Sequence, residues 1–309
     1  MRPLPPSIVL AIASLAVASP ARVAGLELRY LYDLATLTGQ IRLNGLILSY
    51  DPAANELFAT GSGTVRVFNA TGVETYSFGT TDDEMGFVGA VAALEDGDLV
   101  LLTYRESQFS VVRANFRGEP QERINLTGVP PEFSGEFRPT AIAYANGKIY
   151  LADQPNMRVL LVDQRGTSLA SYDLASMLDV ADKRQDLGLS GFNVDKEGNL
   201  LFTIAPLFKA YVVSPGGEVR SFGTPGSAPG KFNIAAGIAA DGAGHLFVVD
   251  ALKCAVLAFD RDFKFLGEFG YRGRGPGRLI SPRGVAVGDG KVFVSQNGGR
   301  GVTVYQLRE

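Results

Sequence analysis

Six short runs along the chain share one pattern: a polar residue, a block of apolar and β-branched residues with little polar interruption and, in all but the fourth, a small or polar residue at the end. They read ELFATG from Glu56, DLVLLT from Asp98, KIYLAD from Lys148, NLLFTI from Asn199, HLFVVD from His245 and KVFVSQ from Lys291. Blocks of this length, bounded by Gly, Asp and Asn, predict strands. Each is preceded by a turn residue, in order Asn55, Gly97, Gly147, Gly198, Gly244 and Gly290, so the pattern recurs at intervals of 42, 50, 51, 46 and 46 residues. A recurrence of about 40 to 50 residues with several strands per unit marks a propeller blade.

The fifth unit is the clearest. An inner strand of small residues, Gly237-Ile238-Ala239-Ala240, leads to a turn at Asp241 to Gly244 and the strand His245 to Asp250. A third strand from Cys254 to Phe259, a turn at Asp260 to Asp262 and a fourth strand from Phe265 to Phe269 complete it. Small residues suit the crowded axis of a ring, and Asp and Gly suit tight hairpins. The linkers leading into units five and six, FGTPGSAPGKF from Phe222 and FGYRGRGPGRL from Phe269, are near-copies. The sixth unit is unfinished, because after its third strand, Val302 to Leu307, the sequence stops at Glu309. A blade lacking its outer strand leaves an open edge, so the strand-like segment Leu28 to Asp33 is expected to close it. The fold class is then all-β: a six-bladed β-propeller, four antiparallel strands per blade, the last blade closed by the N-terminal strand.

Composition fits a turn-rich all-β chain, with 37 glycines and 16 prolines in 309 residues and only 20% charged residues. Residues 1–21 read as a signal peptide with cleavage between 18 and 24: Arg2 precedes an apolar run from Ile8 to Val17, and small residues follow. That run is too short to span a bilayer comfortably. Residues 22–309 are therefore expected to form a single exported propeller, periplasmic, cell-surface or extracellular, with no integral membrane segment once the leader is gone. A net charge of −3 argues against a nucleic-acid partner. Cys254, the sole cysteine, excludes a disulfide framework and is expected to be a small buried residue.

The Phe-Gly start and glycine-rich body of the two linkers, the Gly-Ile-Ala strand and the Val-x-Asp end of the second strand resemble the NHL repeat family of six-bladed propellers. The same features recur in unit three as Phe137-Arg138-Pro139 followed by KIYLAD ending at Asp153. The resemblance implies a platform for ligands or partners, with a few enzymes on related rings and some RNA-binding relatives that carry a basic face. Fold constrains function only loosely.

Catalytic chemistry is poorly supplied. The lone histidine, His245, sits beside a hairpin turn, so a three-histidine metal site is excluded within one chain. Calcium-dependent lactonase-like propellers use oxygen ligands at the tunnel, yet the innermost strands, around Ile47, Val91, Ile142, Phe192, Ile238 and Val285, offer only the carboxamide of Asn193. There is no Gly-x-Ser-x-Gly elbow, and the glycines from Gly273 lack the helix that a dinucleotide fingerprint requires. No cofactor or metal is expected. The segment Leu174 to Leu189 departs from strand patterning and predicts one or two helical turns, either as a cap or as a solvent-exposed insertion between blades.

What remains is one ring face, where the loops entering inner strands meet the loops between second and third strands. It gathers Asp153, Asp250 and Gln296, which end second strands, with Arg138 and Arg283, which precede inner strands. Aspartates at such ends brace loops or contact a ligand. The densest charge is in the sixth linker, where Arg272, Arg274, Arg278 and Arg283 lie close together beside Tyr271, with Arg300 in the next loop of that face. These are either a solvated linker or a patch for carboxylate, phosphate or an acidic loop. The leading expectation is a non-catalytic extracytoplasmic module that recognises a protein, peptide or glycan. The alternative is a calcium-assisted hydrolase or lyase acting at the central tunnel.

Overall fold

Each apolar run becomes the second strand of an antiparallel blade of four strands, and six such blades stand in a ring, the last carrying one extra outer strand. The computed structural model describes residues 21–23, 26–36, 39–40, 44–79, 85–133 and 135–308. Five blades are continuous in sequence, over 47–79, 87–124, 141–173, 191–222 and 235–270. The expected leader lies almost wholly outside the described residues.

The turn residues that marked the repeat share a physical cause. Asn55, Gly97, Gly147, Gly198, Gly244 and Gly290 all have φ between 58° and 88°. A left-handed residue is what the tight hairpin into the second strand requires, and Gly and Asn reach that region at least cost. A second set of glycines works through size. A Cβ on Gly191 would overlap the Ala236 carbonyl, one on Gly237 would lie 2.7 Å from the Arg283 carbonyl, and one on Gly284 would lie 3.1 Å from that of Leu46. Inner strands of neighbouring blades therefore approach backbone to backbone around the axis.

The sixth blade closes as expected. Its inner strands Pro282–Gly288, Lys291–Gln296 and Val302–Arg308 are completed by Leu26–Asp33, which pairs antiparallel with the last strand so that Leu28 faces Leu307, Tyr30 faces Tyr305 and Asp33 faces Thr303. A bulge between Tyr30 and Tyr32 shifts the register within it. Ala21–Val23 adds a fifth, outermost strand beyond it. The core lies between blades: Phe247, Val249, Val256 and Phe269 of the fifth meet Val292, Val294 and Tyr305 of the sixth. Burial of each such side chain contributes about 1.5–3 kcal/mol.

The segment after the third blade does hold short helical turns, Leu174–Met177, Ala181–Lys183 and Arg184–Leu187. Its middle, residues 181–187, has no buried residue and is an insertion exposed to solvent, whereas its two ends are anchored in the core. Leu174, Ala175 and Leu189 are buried in the core between blades three and four, and Arg184 grips both carboxylate oxygens of Asp173 at 2.7 Å while that carboxylate caps Ser176 N–H.

Candidate functional site

Three residues expected on the ring face are fully buried acceptors. Asp153 takes the backbone N–H of Arg138 at 2.9 Å and both the backbone and side-chain nitrogens of Asn156. Asp250 takes four backbone amides, those of Asn233, Ile234, Leu252 and Lys253, at 2.6–3.2 Å. Gln296 accepts from Ile280 N–H at 2.7 Å and donates to the Thr303 hydroxyl at 2.6 Å. Arg138, Asn233 and Ile280 hold corresponding places in the linkers of blades three, five and six, so one device ties each linker to its own second strand. These side chains build the face from beneath. The guanidinium of Arg138 is exposed above it.

The two near-identical linkers adopt one backbone. Phe232 N–H bonds the Thr224 carbonyl, Gly226 N–H that of Phe232 and Lys231 N–H that of Ala228; in the sixth linker Leu279, Gly273 and Arg278 donate to Tyr271, Leu279 and Gly275. The frame is held constant while its side chains change. A cation from the facing loop also fastens each frame: Lys253 Nζ reaches the carbonyls of Ala228 and Lys231, and Arg300 Nη1 reaches that of Arg274 at 2.7 Å. Each cation has a carboxylate in the fourth strand of its blade, Glu268 at 2.6 Å for Lys253 and Asp33 at 3.5 Å for Arg300.

The sixth linker lies across the closing seam. Tyr305 O–H donates to the Gly277 carbonyl at 2.9 Å, and a Cβ on Gly277 would come within 3.0 Å of Tyr30. Burial raises the Tyr305 hydroxyl far above its ordinary range, with the nearby Asp33 adding to it.

Arg272, Arg274 and Arg283 line a single cavity of about 490 Å³ between the fifth and sixth blades. Its apolar lining includes Ile234, Ala251, Leu252 and Ile280, with Cys254 buried beneath it. Ile234 and Leu252 are 38% and 52% exposed. No carboxylate lines it. Among the described residues no ion pair engages the three guanidinium groups. Arg278 takes no part, because its side chain folds back over Gly273. The apolar floor is the part that sequence reasoning missed. Its one textual signal is Leu252, an apolar residue at the tip of a turn between Asp250 and Lys253.

On the opposite face the tunnel opens as a cavity of about 640 Å³ lined by inner strands of all six blades. Its lining includes five carboxylates, of Asp51, Glu95, Asp195, Asp241 and Asp289. Glu95 is a tunnel-side carboxylate that the reading of the inner strands did not count. Asp51, Asp195 and Asp241 cap their own turns through the Ala53, Glu197 and Ala243 amides, and Asp289 pairs with Lys291 at 2.6 Å. His245 joins this turn system, its Nδ1 2.8 Å from Asp241. Asn193, the one carboxamide that the innermost strands offered in the sequence, accepts from Val194 N–H and reaches the Ile238 carbonyl across to the next blade. Among the described residues no group of three or more His, Cys, Asp or Glu is arranged to hold a metal ion.

The chain is a six-bladed β-propeller, and solved structures share that fold. A Bacteroides thetaiotaomicron protein of unknown function is similar over 92% of this chain and 76% of its own, with TM-score 0.65 and 14% identity. A gluconolactonase from Xanthomonas campestris matches over 93% and 91% with TM-score 0.58 and 17% identity, and virginiamycin B lyase from Staphylococcus aureus over 92% and 99% with TM-score 0.59 and 13% identity. At such identities the likeness is one of fold. No protein-family model matches the chain, so the NHL resemblance gains no support from that direction. Nor does any curated protein match it in sequence.

Proposed function

We propose that this protein is a non-catalytic, exported recognition module that captures a partner on the ring face where linkers and second-to-third-strand loops converge. The observation that carries this is the cavity between blades five and six, where three exposed guanidinium groups without internal counter-ions stand over an apolar floor. Ion-paired arginines are common on surfaces, but unpaired ones gathered at an apolar depression favour an external anion. A closed propeller holds such loops rigidly, so recognition loses little entropy in ordering them. Partner capture from the envelope or medium of the producing cell by the mature protein tests the reading. It is expected to weaken with added salt and with R272A/R274A, at unchanged melting temperature.

The enzyme alternative draws on the gluconolactonase and lyase of similar fold. Metal analysis of the purified protein separates the two: stoichiometric calcium together with lactone hydrolysis overturns the binding reading, and absence of both supports it.

A further inference from the structure

The cavity between blades five and six pairs two kinds of surface that most anion sites keep apart. Arg272 and Arg274 alternate with glycines on one rigid loop, and Arg283 approaches from the start of the neighbouring inner strand. Between them lie Ile234, Leu252 and Ile280, aliphatic and partly open to solvent. No aromatic ring lines the cavity. Sugar rings and nucleobases are held chiefly by stacking on aromatic planes, so that surface suits neither. Inorganic phosphate would leave the aliphatic floor uncovered. A peptide that places carboxylates on either side of an aliphatic side chain satisfies both surfaces at once.

We propose that this cavity binds an acidic, aliphatic peptide segment of a partner protein, with a Leu or Ile side chain seated on Ile234, Leu252 and Ile280 and its flanking Asp or Glu carboxylates paired with Arg272, Arg274 and Arg283. The assignment rests on the ring-face reading above and names the chemistry of its partner. Three guanidinium groups on two separate segments match several carboxylates spread along a strand better than one terminal carboxylate. The site is also set in advance. Arg300 holds the Arg274 carbonyl, Asp33 holds Arg300, and Tyr305 holds the Gly277 carbonyl, so the loop carrying two of the three arginines is fixed to the ring before any partner arrives.

Fluorescence anisotropy with a labelled peptide of sequence Asp-Glu-Leu-Asp-Ile-Glu tests the assignment. Binding by the mature protein is expected to fall about tenfold or more when Arg272 and Arg274 are both changed to alanine. It should fall similarly when the Asp and Glu of the peptide become Asn and Gln. L252S is expected to weaken it severalfold with no change in its salt dependence, since that change touches only the floor. R272E/R274E should bind a Lys-Lys-Leu-Lys-Ile-Lys peptide that the unaltered protein rejects, which shows that the charge and not the fold was altered. Equal affinity for the acidic and amide peptides, or equal affinity of protein and R272A/R274A, overturns the assignment. So does saturation by anionic phospholipid vesicles or inorganic phosphate at lower concentration than by the peptide. If the peptide fails while salt-sensitive capture of an envelope partner persists, the peptide assignment falls and the ring-face reading stands; if both fail, both fall.

Discussion

Asp33 and Glu268 are equivalents from opposite ends of the chain: each is the carboxylate that holds the loop cation of its blade, Arg300 for Asp33 and Lys253 for Glu268. Glu268 belongs to the fourth strand of the fifth blade, and Asp33 to the strand that takes the fourth place in the sixth. The N-terminal strand therefore supplies both the missing hydrogen-bonded edge and the missing half of an ion pair. Both partners of each pair are mostly buried, so removing one leaves an uncompensated charge. Asp33→Ala is expected to cost about 2–4 kcal/mol, read from urea unfolding midpoints, with Glu268→Ala in the same range.

Deletion of residues 22–34 removes the whole closing strand. The edge of Val302–Arg308 and the faces of Tyr305 and Leu307 then meet solvent, and the sixth linker loses Tyr30 beneath it. A single cooperative melt at markedly lower temperature is expected. Melting indistinguishable from that of the complete chain would contradict the observed pairing.

Two glycine substitutions separate conformation from crowding. A Cβ at Gly147 meets nothing within 4 Å, so Gly147→Ala carries only the cost of its positive φ, about 1 kcal/mol. Gly191 has no such φ, but its Cβ would strike the Ala236 carbonyl of the next blade. Gly191→Ala is expected to cost about 3 kcal/mol or more, because backbone has to move. Denaturant titration of the pair compares them directly.

Alkaline pH acts on the tyrosines. Burial, helped by nearby carboxylates, raises Tyr50, Tyr76 and Tyr104 to about 12 and Tyr305 higher still, against about 10 in an unfolded chain. The folded state thus binds these protons more tightly. Their contribution to stability is complete below pH about 10 and is lost as pH rises through about 12. Unfolding midpoints should be flat to mildly alkaline pH and then fall, in step with tyrosinate absorbance. Tyr305→Phe removes the largest of these raised groups and should shift that fall to higher pH.

The ring, its six units and its closing strand were readable because each blade repeats a left-handed turn residue ahead of an apolar run, and because the sixth unit lacked a fourth strand. Boundaries moved by a residue or two, as at Leu26 and Ala235, where pairing extends beyond the apolar pattern. The arginines of the sixth linker stood out by contrast with Thr224, Pro225 and Lys231 in the fifth. Their grouping into a cavity could not be read, since Ile234 and Leu252 come from the preceding blade and meet Arg272 only after the blades pack. Arg278, equally basic in the text, turns out of the cavity because Gly273 leaves room for its side chain to fold back. The helical segment was foreseen in kind and in its exposed middle, but not at its ends: Leu174 and Leu189 are core residues, which spacing alone did not distinguish from a surface excursion.

The bond between Asp33 and the Thr303 hydroxyl, 2.5 Å long, joins positions 270 residues apart. Blades one to five assemble from neighbours in sequence, with short loops to close and little entropy to lose at each step. The sixth has to bring together strands some 270 residues apart. Joining these strands is the pairing of longest sequence separation in the fold, and the arginine-bearing linker, which leans on that junction, takes shape only when the circle is complete.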